Sequence, residues 1–213
     1  MFFISDEKIF KLKHPLIKSI SKKVIEIPIV DLKGSGSRER NCILNAEAYS
    51  KNNPNSKVVK GYTFSSLGNV LVRLIGHAVI IENGQLKCVT PPEPEYIRRR
   101  GTIHFLPADF DIINGRLPSQ TISIVNHSVL ERFAELENLL SAIKMKHPAR
   151  ESLNSDVSQI ALKEEYIEQY NKTLKEYQLL IPKAEALALA SMSRNDLCHC
   201  ASGIKYKNCC MRP

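Results

Sequence analysis

The sequence predicts an α+β fold with a body over residues 1–126, a helical segment over 127–192 and a small cysteine-rich module over 193–213. Three observations carry this reading. Short runs rich in β-branched residues, punctuated by Asn-Gly, fill the first part. From Ser128 the apolar spacing changes from about two to about 3.6 residues. Four of the six cysteines then crowd into residues 198–210. A chain of 213 residues with 43% hydrophobic and 24% charged content can bury an ordinary core. No stretch approaches the roughly 18–20 apolar residues that a membrane helix needs, so no membrane insertion is expected. The N-terminus carries Asp6-Glu7 where a secretion signal would carry its apolar region, which predicts a cytoplasmic chain.

Residues 24–32 read as an extended segment interrupted by Pro28, which cannot donate to a β-ladder. Gly34-Ser-Gly-Ser breaks it. Ile43, Leu44, Ala46 and Ala48 then fit a helix over 38–52, stopped by Asn52-Asn53-Pro54, with Cys42 in its first turns. Residues 58–64 and 70–81 are β-rich, and Asn83-Gly84 joins the second run to 85–90 as a two-residue hairpin. That register sets Glu82 opposite Gln85, Val79 opposite Cys88 and His77 opposite Thr90. Alternation puts His77, Val79 and Ile81 on one face with Leu86, Cys88 and Thr90. His104-Phe-Leu-Pro and Ile122-Ser-Ile-Val read as further strands around a turn at Asn114-Gly115. Glu93, Asp109 and Asp111 fall in the loops nearby.

Ser128-Val-Leu-Glu131 forms a capping-box pattern, and Val129, Leu130, Phe133, Leu136, Leu140 and Ile143 mark one helical face until His147-Pro148. A second helix is expected from about Ser155, with Val157, Ile160, Ala161, Ile167, Tyr170, Leu174, Tyr177 and Ile181 at helical spacing. Pro182 should break or kink it, with residues 183–192 continuing toward the cysteines. The two helices are expected to form a hairpin or arm.

The cysteines at 198–210 run Cys-x-Cys, eight residues, Cys-Cys. Adjacent cysteines do not pair comfortably with each other, and structural disulfides are rare in a reducing cytosol. A metal site is the better reading. Four soft thiolates suit tetrahedral zinc, and a segment this small needs the ion to fold. The stretch Ser193-Arg-Asn-Asp-Leu-Cys-His-Cys-Ala-Ser-Gly-Ile-Lys-Tyr-Lys-Asn-Cys-Cys-Met resembles the SEC-C motif found at the C-terminus of the bacterial preprotein translocase ATPase. Arg194, Asn195, Asp196, Ser202, Gly203, Lys205, Tyr206 and Lys207 match the family pattern, as do Cys198, Cys200, Cys209 and Cys210, its zinc ligands. Leu197 and His199 stand where the motif has prolines, Ala201 where it has glycine and Ile204 where it has lysine. His199 lies between two ligands, and imidazole also binds zinc, but four cysteines already close a structural site. The resemblance implies docking to a macromolecular partner, a protein or a ribosome.

The net charge of +8 falls to about +6 once four thiolates and a zinc dication are included. Lys8, Lys11 and Lys13, then Lys22-Lys23, then Arg98-Arg99-Arg100 carry part of the excess, as a solvated basic face or as steering toward an acidic partner. No nucleic-acid motif accompanies it. In the body, Asn41-Cys42-Ile-Leu, then Gly76-His77-Ala-Val, then Lys87-Cys88-Val-Thr90-Pro91 resembles the order of papain-like and transglutaminase-like folds. That resemblance implies a cysteine hydrolase or transferase with Cys42 as nucleophile and His77 as base. The sequence departs from the pattern at Cys88, where the family has an acid that orients the imidazole. Cysteine is also among the most buried residue types, and Cys42 and Cys88 are more often small core residues than nucleophiles.

Overall fold

The computed structural model describes residues 9–10, 14–30, 41–91, 101–147, 164–196, 198, 200, 202 and 204–211. Its elements are α1 (Pro15–Ser21), β1 (Ile25–Pro28), α2 (Cys42–Asn52), β2 (Ser56–Leu67), β3 (Leu71–Glu82), β4 (Gln85–Lys87), β5 (Thr102–Pro107), β6 (Ser119–Ser123), α3 (Ser128–Met145) and α4 (Glu164–Ser191). The fold is α+β, as the sequence predicts.

β2 and β3 form one antiparallel ribbon, in register from Ser56 opposite Glu82 to Leu67 opposite Leu71. The ribbon is covered on both faces, which is why β3 reads as near-continuous apolar runs rather than a clean alternation. On one face, Leu67 and Leu71 pack under α3 and α4 at the turn end, while Val79 packs with Ile27, Cys88 and Phe105 at the far end. On the other face, Phe64, Val72 and Leu74 pack with Ile9 and Ile17, and Ala78 and Ile80 pack with Ala46 of α2. Paired strands in a two-stranded ribbon twist strongly, so each face meets different neighbours along its length.

The strands lie in the order β1-β5-β2-β3-β4, with β6 against the first half of β3. Asn83 and Gly84 have φ of 50° and 78°, the left-handed pair of a tight hairpin turn, and Glu82 pairs with Gln85 as the sequence register requires. Asn114 and Gly115 turn in the same way, at φ 53° and 72°. The β3–β4 ladder ends at Lys87, so Val79 with Cys88 and His77 with Thr90 are not ladder pairs. Cys88 bridges Ile29 instead: its N–H donates to the Pro28 carbonyl at 2.9 Å and its carbonyl accepts from Val30 at 2.8 Å. Since β1 pairs with β5 and β5 with β2, this bridge closes one end of the sheet into a ring. In the hairpin register residues 79 and 88 fall at a non-hydrogen-bonded position, so the backbone groups of Cys88 point away from β3 and are open to the bridge with Ile29.

α3 and α4 run antiparallel, with Arg132 paired to Glu176 near one end and the His147 ring against Tyr166 near the other. The cap of α3 is His127 rather than Ser128: its Nδ1 accepts from the Val129 N–H at 3.3 Å, and its carbonyl accepts from Glu131. α4 continues through Pro182 without ending there. Leu180 and Ile181 before the proline and Ala184 and Ala188 after it pack on the same cluster, so tertiary contacts hold both sides in one helix. The start expected near Ser155, with Val157, Ile160 and Ala161, lies outside the described residues. Phe133 stacks on Tyr177 at 4.7 Å, and the pair completes the body's core over Leu67, Val70 and Leu71. The helices form a hairpin docked on the sheet.

Gly61 is where β5 crosses β2. A Cβ there would lie 2.2 Å from the Leu106 carbonyl oxygen and 2.5 Å from the Phe105 ring. Because backbone cannot yield as a side chain does, Gly61→Ala should destabilise the fold by about 1–3 kcal/mol, the usual range for overpacking. Urea unfolding followed by circular dichroism should show a lower midpoint; an unchanged midpoint would contradict the crossing geometry.

Candidate metal centre

The ribbon turn fixes the root of the cysteine module. Gly68 has φ of 53°, and a Cβ on it would lie 2.5 Å from the Ala188 carbonyl oxygen, so the turn sits directly on the end of α4. Next to it, the Asn69 N–H donates to Ser191 Oγ at 3.0 Å, and its amide donates to the Ser191 carbonyl at 2.9 Å and to Asp196 Oδ2 at 3.1 Å. The same Asp196 oxygen accepts from the Ser193 N–H at 2.7 Å. Asp196 thus ties the beginning of the module to the body.

Beyond Asp196 the chain doubles back. Tyr206 N–H donates to the Asp196 carbonyl at 2.7 Å, and Cys198 N–H donates to the Ile204 carbonyl at 2.8 Å. A 3₁₀ turn at Tyr206–Asn208 then delivers Cys209 and Cys210, with Cys209 N–H donating to the Tyr206 carbonyl. This brings the two cysteine pairs face to face. The ligand atoms of Cys198, Cys200, Cys209 and Cys210 all lie within 4.8 Å of one another. Sγ of Cys209 is 3.4 Å from that of Cys200 and 3.9 Å from that of Cys210. Tetrahedral bonds of about 2.3 Å to zinc would set the sulfurs about 3.8 Å apart, so the quartet already has the dimensions of such a site. Cys198 is fully buried and Cys200 and Cys210 are exposed, which leaves the cluster at the surface with one ligand rooted inside.

The sulfurs polarise one another. Hydrogen bonding from Ser202 holds the Cys200 thiol down, to about 6, whereas the neighbouring sulfurs of Cys198 and Cys200 push Cys210 up to about 12. Crowding thiols allows early ionisation at one position only by holding protons at another. A dication relieves that conflict by taking the place of the protons. The four cysteines can therefore hold a metal ion. Leu197, His199, Ala201, Gly203 and Arg212 lie outside the described residues.

The body's thiols and His77 form a different environment. Cys42 opens α2 beside Ala78, and α2 lies on the ribbon that carries His77. His77 Nε2 meets Cys88 Sγ at 3.2 Å, a contact that the alternation of the two strands foretells. Thr90 Oγ1 accepts from the buried Asn45 amide of α2 at 3.3 Å. Burial pushes the Cys42 thiol up despite the Ala78 backbone beside it, and pushes Cys88 up to about 11. Burial also lowers His77 to about 4. These directions are opposite to those of an activated thiolate and its imidazolium. Sequence reasoning did not single out Asn69, because its role depends on a contact with residues more than a hundred positions away.

Cys209→Ser should abolish metal binding and unfold the module while the body stays folded, since the ion supplies the module's stability; elemental analysis with circular dichroism checks both, and full retention of metal would sink the assignment. His77 gives a second expectation. Between pH 6.5 and about 4 the unfolded chain binds a proton that the folded one does not, so stability should fall as pH is lowered through that window. The slope is at most about 1.4 kcal/mol per pH unit, and His77→Gln should flatten it in urea titrations at stepped pH. Against known families, residues 194–212 match the SEC-C motif. No curated protein and no solved structure matches the chain. The four clustered cysteines at 198, 200, 209 and 210 are thus those of a SEC-C motif.

Proposed function

We propose that this is a cytoplasmic zinc-binding protein whose SEC-C module is a structural metal site that docks the chain to a macromolecular partner. The convergence of four cysteine sulfurs within 4.8 Å carries the reading. Four thiolates favour zinc over harder divalent ions, and a full set of protein ligands leaves no position for a reacting water. The ion's work is then to hold shape. What it holds in place includes two exposed apolar side chains, Ile204 and Met211, at 48% and 45% exposure, with the exposed Lys205 next to Ile204 in the chain. An apolar centre with a basic rim suits a protein or ribosome surface that is acidic around an apolar spot. Anchorage through Asn69 and Asp196 gives that patch a fixed orientation on the body.

The alternative, a cysteine hydrolase or transferase with Cys42 and His77, draws no support from the electrostatics, since both groups are held in their neutral forms. Maleimide labelling of the folded chain distinguishes the two readings. Slow labelling of Cys42 at pH 7 fits a core thiol, and rapid labelling would favour the enzyme.

Elemental analysis of protein purified without added metal should find one zinc per chain, lost in Cys198→Ser and kept in Cys42→Ser. An Ile204→Glu/Met211→Glu chain should keep its zinc yet lose at least about tenfold in partner affinity, as expected for losing a central apolar contact. Crosslinking to proteins and cosedimentation with ribosomes in parallel provide the readout; equal capture of variant and wild type would refute docking through this patch.

A further inference from the structure

Between α3, α4 and the outer strands lies a cavity of about 380 Å³, on the opposite side of the helix pair's apolar contacts from the metal module's root. The tyrosine-bearing stripe of α4 faces it: Tyr170, Leu174 and Tyr177 all line it, although the core packing of α4 requires only the last of these. From the sheet side come Arg73 and Arg116, and from α3 come Glu137 and Lys144. Glu137 is fully engaged, accepting from Thr121 Oγ1 at 2.5 Å and from the Tyr177 hydroxyl at 3.1 Å, and pairing with Arg73.

Among the described residues, no acid pairs with the other two cations. Arg116 donates through Nε to the His147 carbonyl at 3.3 Å, but its Nη2 is buried with no hydrogen-bond partner among the described residues. Lys144 is half-buried, and the charges that act on it are Arg116 and Arg73, both of its own sign. Three cations against one carboxylate leave a surplus of two positive charges in a cavity of mixed polar and apolar lining. Burying an unpaired guanidinium nitrogen is costly unless something anionic completes it.

We propose that this cavity binds a small phosphate monoester, with its dianionic head on Arg116 and Lys144 and a flat apolar body against Tyr170 and Leu174. A forked guanidinium and an ammonium are a common pairing for phosphate oxygens. The volume lies within the usual range of roughly 300–1,000 Å³ for small-molecule sites. This site is independent of the metal module and of the docking it mediates.

Isothermal titration of the full chain at pH 7.5 with phenyl phosphate, benzoate, inorganic phosphate and phenol tests the proposal. Phenyl phosphate should saturate at one per chain. Benzoate and inorganic phosphate should bind more weakly, one lacking a charge and the other the apolar body, and phenol should not bind. Lys144→Gln should weaken phenyl phosphate by about 10-fold or more, in line with loss of a charge-assisted hydrogen bond. Tyr170→Ala should weaken phenyl phosphate but leave inorganic phosphate unchanged. Arg116 also holds the end of α3 through His147, so if Arg116→Gln fails to fold, Lys144→Gln decides the matter. Absence of saturable binding, benzoate binding as tightly as phenyl phosphate, or affinity unchanged in Lys144→Gln would each overturn it.

Discussion

The protein is organised by one antiparallel ribbon, β2 with β3, that is buried on both of its faces. Each of the four apolar clusters among the described residues draws side chains from it. Two faces and two ends give four surfaces, and each is covered by a different part of the chain. This explains why short and separately weak elements, such as the four-residue β1 and seven-residue α1, hold a place at all. Neither could bury enough area alone, but each seals an edge or face of a surface that already exists.

The ribbon also reaches the metal module. Its turn places Gly68 and Asn69 against the end of α4 and Asp196, so a residue of the SEC-C pattern is spent on contact with the body. The module therefore divides into a root, held by hydrogen bonds to the fold, and a cysteine cluster that can hold a metal ion. A change at the ligands acts locally, while a change at the ribbon turn acts on the orientation of everything beyond Ser191. That division separates metal content from presentation of the exposed Ile204 and Met211 side chains.

Histidine and thiol side chains near the ring end of the sheet show how environment decides chemistry. Imidazole and thiol do meet there, yet burial without a neighbouring charge keeps both neutral. With no carboxylate at position 88, nothing holds a proton on His77 against the loss of hydration. The cationic cavity under the helix pair shows the reverse case: charged groups converge, and their excess sign is what gives the cavity a chemical preference.

By itself the sequence determined whatever rests on local spacing. Alternation and Asn-Gly mark the strands and both tight turns, helical periodicity marks α3 and α4, and the cysteine pattern marks the four residues that cluster. Those signals lie within a few residues of one another, and the physics that reads them is local. Tertiary structure decided the rest. Closure of the ring joined Cys88 to β1, His127 displaced Ser128 as the cap of α3, and packing on both sides carried α4 through Pro182. Arg73, Arg116 and Lys144 became one cluster only when β3, the turn after Asn114-Gly115 and α3 were brought together. Backbone hydrogen bonds to a distant strand decided the ring closure, a neighbouring imidazole acceptor the cap, and burial of apolar surface on both sides of the proline the continuous helix.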